Sequence, residues 1–253
     1  MAEATPSEGL YGQEPDPTQP GQGPGPAPGL LDQIVGVFTD PIALFKKLAV
    51  TPTWGWALGA TVVASLVLTL AWVWKVNPDE FFRPILERNP NIPAENIDKI
   101  IEMQGKFLGV IGVLQVLIVI PAVTFLVALF YWLIGKFTAE ATAPRYFQAM
   151  SATAVAGLVG LPKVLLITFM CLIKPIGGLT PDKISPTSVG FFVASENLKL
   201  GALLHALDLF TFASAVMLFL AARYTLRLKV SGAALCAALT LVLSVGLPVL
   251  FAK

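Results

Sequence analysis

Apolar residues in this chain gather into long runs separated by shorter polar connections, and the runs recur from residue 30 almost to the end. Leu30, Leu31, Ile34, Val35 and Phe38 repeat at helical spacing up to Asp40-Pro41, and Ile42, Leu44, Phe45 and Leu48 continue the pattern beyond it. The spacing predicts two short amphipathic helices broken near Pro41, with Lys46 and Lys47 on the polar side. Such helices either lie in the membrane surface or pack on the protein's own spans. Five longer runs follow. Trp54 to Trp74 carries no charge and has tryptophans at both ends. Trp56 and Trp74 are 18 residues apart, about 27 Å of helix, which matches the hydrocarbon thickness of a bilayer. Tryptophan is enriched at the two membrane–water interfaces, so this run reads as a span. Phe107 to Ile134 is also uncharged, but at about 42 Å it must tilt or bend. Pro121 supplies a place for the bend. The remaining runs are Ser151 to Ile173 with Lys163 inside, Leu200 to Ala222 with His205 and Asp208 inside, and Val230 to Phe251.

The connections differ in length. Pro93 to Met103 reads as an amphipathic helix, with Pro93 in its first turn and Ile97, Ile100 and Ile101 on one face. Lys174 to Lys199, rich in Gly, Pro, Ser and Thr, forms a second long loop on that side of the membrane. The opposite connections, Gly135 to Met150 and Arg223 to Lys229, are short. The predicted fold is therefore all-α: a polytopic transmembrane helical bundle of about five spans over residues 51–253, with N-terminal interfacial helices at 30–50. Residues 1–29 hold seven prolines, six glycines and no Lys or Arg. They have almost nothing to bury and are predicted to be disordered. They also lack the basic start and apolar core of a signal peptide.

Composition agrees. Hydrophobic residues make up 55% of the 253 positions, charged residues 13%, about half the ordinary share for a soluble domain. Much of the surface must face lipid, so the bilayer is the first partner. A net charge of +1 with no concentrated basic face excludes nucleic acid. Cys171 and Cys236 lie inside apolar runs and read as small hydrophobes. Seven Lys or Arg fall on the N-terminal face and nine on the other, so the positive-inside rule does not decide orientation. The compact Arg223, Arg227, Lys229 group leans toward an N-terminus inside.

Candidate chemistry is sparse. Lys163, His205 and Asp208 are ionisable groups in or near the hydrocarbon, where a lone charge costs about 2.5–3.5 kcal/mol. Lys163 lies about 16 Å and Asp208 about 13 Å from the same surface by helical rise. Consecutive antiparallel spans usually neighbour each other, so an ion pair between them is geometrically reasonable. It reads as a structural clasp, a step in a proton or ion path, or two independently snorkelling side chains. His205 and Asp208, three apart, would share a helical face and a hydrogen bond. They are too few for a metal, and no HExxH, His/Cys cluster or GxSxG accompanies them. No catalytic residue, cofactor or metal site is expected. Gln115 should hydrogen-bond a neighbouring helix. Small residues four apart, such as Gly55 and Gly59, Gly105 and Gly109, Ala152 and Ala156, and Ala233 and Ala237, let helices approach within the bundle or across a homo-oligomer.

The segment Val37-Phe38-Thr39-Asp40-Pro41-Ile42-Ala43-Leu44-Phe45, followed by Pro52 and Trp54, resembles the entry motif of bacterial YIP (Ypt-interacting protein) domain proteins. Pro93 to Met103, the third span with Pro162, and Leu207-Asp208-Leu209-Phe210 in the fourth fit the same order and spacing. The likeness covers roughly residues 35 to 251. Where bacterial relatives often carry a Trp after the Asp-x-Phe motif and a Gly near the end of span four, this chain has Thr211-Phe212-Ala213 and Ala221-Ala222. The resemblance implies five spans, a cytoplasmic N-terminus and a multi-pass protein of the bacterial inner membrane. Eukaryotic relatives bind Rab-type GTPases and shape membranes. A non-enzymatic membrane organiser or adaptor with a membrane-protein partner or second copy is thus the first expectation. The alternative is a small ion- or proton-coupled transporter or channel using Lys163, His205 and Asp208. A lipid-acting enzyme comes last, lacking nucleophile, base and metal ligands.

Overall fold

The computed structural model of the protein describes residues 26–193, 195 and 197–252. Residues 1–25, most of the tail expected to be disordered, lie outside the described residues. Helix dominates throughout. No strand occurs among the described residues, only two isolated bridges, Ala139 with Leu228 and Ser188 with Asp208.

Helices α1 (Leu30–Thr39) and α2 (Pro41–Val50) are separated by a single residue. Asp40 does two jobs there. Its N–H donates to the Gly36 carbonyl and closes α1, while its carboxylate accepts the Ala43 N–H at 3.0 Å and starts α2. Pro41 then sits at the first helical position, where its missing N–H costs nothing. The pair packs on the protein's own spans. Val37, Phe45 and Leu48 are fully buried in the main core. Side chains from two other elements also reach the α2 backbone: Thr225 donates to the Phe45 carbonyl at 2.9 Å and Gln148 to that of Ala49 at 2.7 Å. Leu31, Val35 and Phe38 on the outer face stay exposed.

Among the described residues four helical stretches are long and apolar enough to cross a membrane. The first is α3 (Gly55–Lys75), followed by α4 (Pro78–Glu87) with Asn77 as its N-cap. The second is α5 (Ala94–Thr138), a 45-residue helix about 67 Å long. The amphipathic segment after Pro93 and the second apolar run are therefore one rod. Nothing between Met103 and Phe107 breaks a helix, and Glu102 and Lys106 pair four residues apart at 2.7 Å across the junction. Pro93 is the residue before the helix, not in its first turn. The helix runs unbroken through Pro121. Ile97 and Ile101 pack with Leu86 in a small separate core between α4 and α5. Arg83 joins the same hairpin, 2.5 Å from Asp79 and 2.7 Å from Asp98, and it holds the Asp79 carboxyl below its ordinary range.

The third stretch joins α6 (Tyr146–Gly157) to α7 (Leu161–Ile173) through a 3₁₀ turn at Leu158–Gly160. Pro162 explains the irregularity, since it has no N–H to give the Leu158 carbonyl. After the short α8 (Pro181–Ile184) comes the main departure from the sequence pattern. The fourth apolar run is not one helix. It divides into α9 (Leu198–Ala206) and α10 (Leu209–Tyr224), with Leu207 and Asp208 between them. The last stretch runs from α11 (Val230–Leu241) through a π turn at Val242–Gly246 to α12 (Leu247–Phe251), the turn falling just before Pro248.

Small residues sit at the tight crossings. A Cβ on Gly112 would lie 2.9 Å from Thr69, and one on Gly105 would lie 3.3 Å from Pro78, so this face of α5 seats α3 and the start of α4. Ala152, Ala156 and Ala233 are fully buried in the main core. Gly55 and Gly59 instead face open space. Gln115 is exposed on the flank of α5, not turned toward a neighbouring helix.

Candidate functional site

The site grows from the break in the fourth apolar run. An aspartate competes with helix continuation because its side chain can take a nearby backbone N–H. Asp208 Oδ1 accepts the Phe210 N–H at 2.8 Å, so Asp208 caps α10 and ends the path from α9. Its other oxygen, Oδ2, accepts from Thr187 at 2.6 Å and from Ser185 at 3.0 Å, and Lys163 Nζ stands 3.2 Å away. The Asp208 side chain is 0% exposed and that of Lys163 27%. One carboxylate thus gathers α7, the loop after α8 and the start of α10.

The loop between α7 and α9 reaches Asp208 because it is folded down against the bundle. Trp72 donates its indole N–H to the Leu179 carbonyl at 2.8 Å. Trp72, Ile167, Cys171, Ile176 and Ile184 then form a second apolar core beneath it. Trp72 is therefore a buried anchor, whereas Trp56 and Trp74 are exposed at 63% and 75%. Gly177, at φ 54, turns the loop where its carbonyl accepts the Asn77 N–H at 2.9 Å. Gly178 allows close backbone contact, since a Cβ there would lie 2.4 Å from the Glu80 carbonyl oxygen.

Backbone groups freed by the break find partners in the same loop. The Val189 N–H donates to the Leu207 carbonyl at 3.0 Å, and the Leu209 N–H to the Thr187 carbonyl at 3.2 Å. Backbone groups released from a helix among apolar helices need partners from the protein itself, and here a two-residue patch of extended pairing supplies them. Lys163 lies about 15 Å before the end of α7 at Ile173, and Asp208 about 24 Å from the end of α10 at Tyr224.

Lys163 and Asp208 are brought together; His205 is not joined to them. It lies in the last turn of α9, its ring against Gly190 and its Nδ1 3.5 Å from Ser188 Oγ. No hydrogen bond links it to Asp208 among the described residues. The expected shared helical face disappears because the helix stops between them. His205 instead borders a cavity of ≈ 580 Å³ with Asp182, Lys183 and Phe191, which neither Lys163 nor Asp208 lines.

Ser185, Thr187 and the Phe210 amide were not among the residues singled out from the sequence. The Ser185-Pro186-Thr187-Ser188 stretch was the available signal, three hydroxyls in a loop facing spans that contain one buried aspartate.

Residues 35–252, nearly the whole described chain, match the Yip1 domain. The chain belongs to the Yip1 domain family. No curated protein and no solved structure is significantly similar to it. In this Yip1 domain the Leu207-Asp208-Leu209-Phe210 motif is the cap and break of the fourth apolar run, the place where the bundle and its long loop interlock.

The geometry makes the two charges unequal. Asp208→Leu strands Lys163 and removes the acceptor of two hydroxyls and one amide, and it is expected to cost about 3–5 kcal/mol. Lys163→Met leaves Asp208 with three donors and should cost clearly less. The double variant should regain only the part due to the stranded lysine, and so stay below wild type. Thermal melting of the purified protein in detergent measures all three. A double variant as stable as wild type would show that the hydroxyl and amide contacts contribute nothing.

Proposed function

We propose that this multi-pass membrane protein, of the YIP type by its family and its apolar helices, acts as a non-enzymatic membrane organiser or adaptor, lying in a bacterial inner membrane with its N-terminus in the cytoplasm. In this reading the Lys163–Asp208 pair is a clasp and α10 completes a fifth crossing. The supporting observation is the enclosure of Asp208. Its side chain is 0% exposed, its hydrogen bonds from Ser185, Thr187 and Phe210 all close the broken run, and its ion pair ties that run to α7. A carboxylate so fully engaged is placed to hold helices, not to exchange a cargo.

One observation favours the alternative, a small ion- or proton-coupled transporter or channel using Lys163, His205 and Asp208. Discontinuous helices with polar groups at mid-membrane depth are the usual construction of transporter sites. Against it, the cavity at His205 does not extend to the Lys163–Asp208 pair.

Crosslinking and pulldown of the full chain from native membranes, beside flux measurements in proteoliposomes, separate the two. The adaptor reading expects a reproducible partner protein or second copy, and proton or ion flux no greater than in empty liposomes. A flux that disappears in His205→Ala while the protein remains folded would establish the transporter. Orientation has its own check. A cysteine replacing Asn91 should react with an impermeant thiol reagent from outside the cell and one replacing Thr142 should not; the reverse pattern inverts the topology.

A further inference from the structure

On the N-terminal face three connections converge: the end of α2, the turn entering α6, and the turn between α10 and α11. Between them lies a cavity of ≈ 280 Å³ bordered by Arg145 and Arg227. No acidic side chain lines it. Among the described residues neither arginine forms an ion pair; Glu140, whose N–H donates to the Arg227 carbonyl, gives its carboxylate to Arg223. Two cationic side chains lining one small concavity make its potential positive, which favours an anion there.

The rest of the cavity fits a particular kind of anion. Val50, Pro52 and Leu226 give it an apolar wall, and Thr142 adds a hydroxyl. Pro52 in that wall is two residues before Trp54, the N-cap of α3, so the cavity opens at the end of a membrane-crossing helix, the level at which interfacial tryptophans meet headgroups. Lys46, Lys47 and Lys229 belong to the same face and raise the local concentration of anionic lipid. Gln148, also in the lining, has its amide N–H committed to the Ala49 carbonyl, so the arginines carry the recognition. Guanidinium groups suit this task because their planar donors match phosphate oxygens in pairs.

We propose that this cavity binds the phosphate of an anionic membrane lipid, with Arg145 and Arg227 as its ligands. A lipid phosphodiester and free phosphate share this chemistry; the apolar wall and the interfacial level select the lipid. Arg227 holds its place through a backbone φ of 53, the one positive φ at a non-glycine position among the described residues. Asparagine tolerates that conformation, so Arg227→Asn removes the charge without forcing the turn.

The test uses the purified full chain in neutral detergent, with phosphatidylglycerol, phosphatidylcholine or inorganic phosphate added separately. Thermal melting and intact-protein mass spectrometry read the result. Phosphatidylglycerol should raise the melting temperature and stay bound in the spectrometer, while the other two do neither. Arg145→Gln with Arg227→Asn should weaken phosphatidylglycerol binding by at least about tenfold. Arg145→Gln alone, an exposed side chain with no constraint on its backbone, should already weaken it measurably. Unchanged phosphatidylglycerol binding in these variants would overturn the site. Equal protection by inorganic phosphate would overturn the lipid assignment in favour of a soluble anion.

Discussion

A carboxylate buried among apolar helices must be surrounded by donors or it will not remain there as a charge, and Asp208 organises this bundle through that requirement. Lys163 supplies the opposite charge, Ser185 and Thr187 supply hydroxyls, and the Phe210 amide supplies the cap. Those donors come from three separate parts of the chain. Satisfying one side chain therefore ties α7 to the start of α10 and pulls the loop before α9 into the protein. The bridge between Ser188 and Asp208 follows, since the loop arrives beside the backbone that the cap has freed.

The N-terminal face is held by a different device. Thr225 and Gln148 give their side-chain protons to carbonyls of α2, and Arg223 joins Glu140 and the Leu228 carbonyl across the two short turns. Between these faces Tyr131 ties α5 to α11 by donating to the Cys236 carbonyl at 3.0 Å. A hydroxyl bonded to a backbone carbonyl is economical inside a membrane, because neither group has water as a competing partner.

Much of this was legible in the sequence, and the failures have physical causes. Helix type, the apolar runs around α3, α5, α7 and α11, and the Yip1 likeness could be read because hydrophobic length is a strong signal. The split at Asp40-Pro41 was visible because aspartate followed by proline both stops and starts helices. The break at Leu207-Asp208 was missed because hydropathy averages over the residues around one aspartate, whereas the cap depends on a single side chain. The fusion of the amphipathic segment with span two was missed for the opposite reason. A change from polar to apolar surroundings looks like a boundary even where the backbone has no cause to stop. The Lys163 partner of Asp208 was anticipated from matched depth, but its hydroxyl donors could not be placed, since they sit 21 and 23 residues away in a loop whose fold depends on Trp72 and Gly178.

The most direct test of this account is backbone amide exchange at Val189, Leu209 and Phe210 in lipid nanodiscs. Each of these amides is donated within the interlock, to Leu207, Thr187 and Asp208 respectively. They should exchange as slowly as the neighbouring core of α10 in the wild type and lose that protection together in Asp208→Leu. Exchange at the rate of an open loop in the wild type, or protection unaltered by removing the carboxylate, would contradict the claim that Asp208 holds the broken run and the loop together.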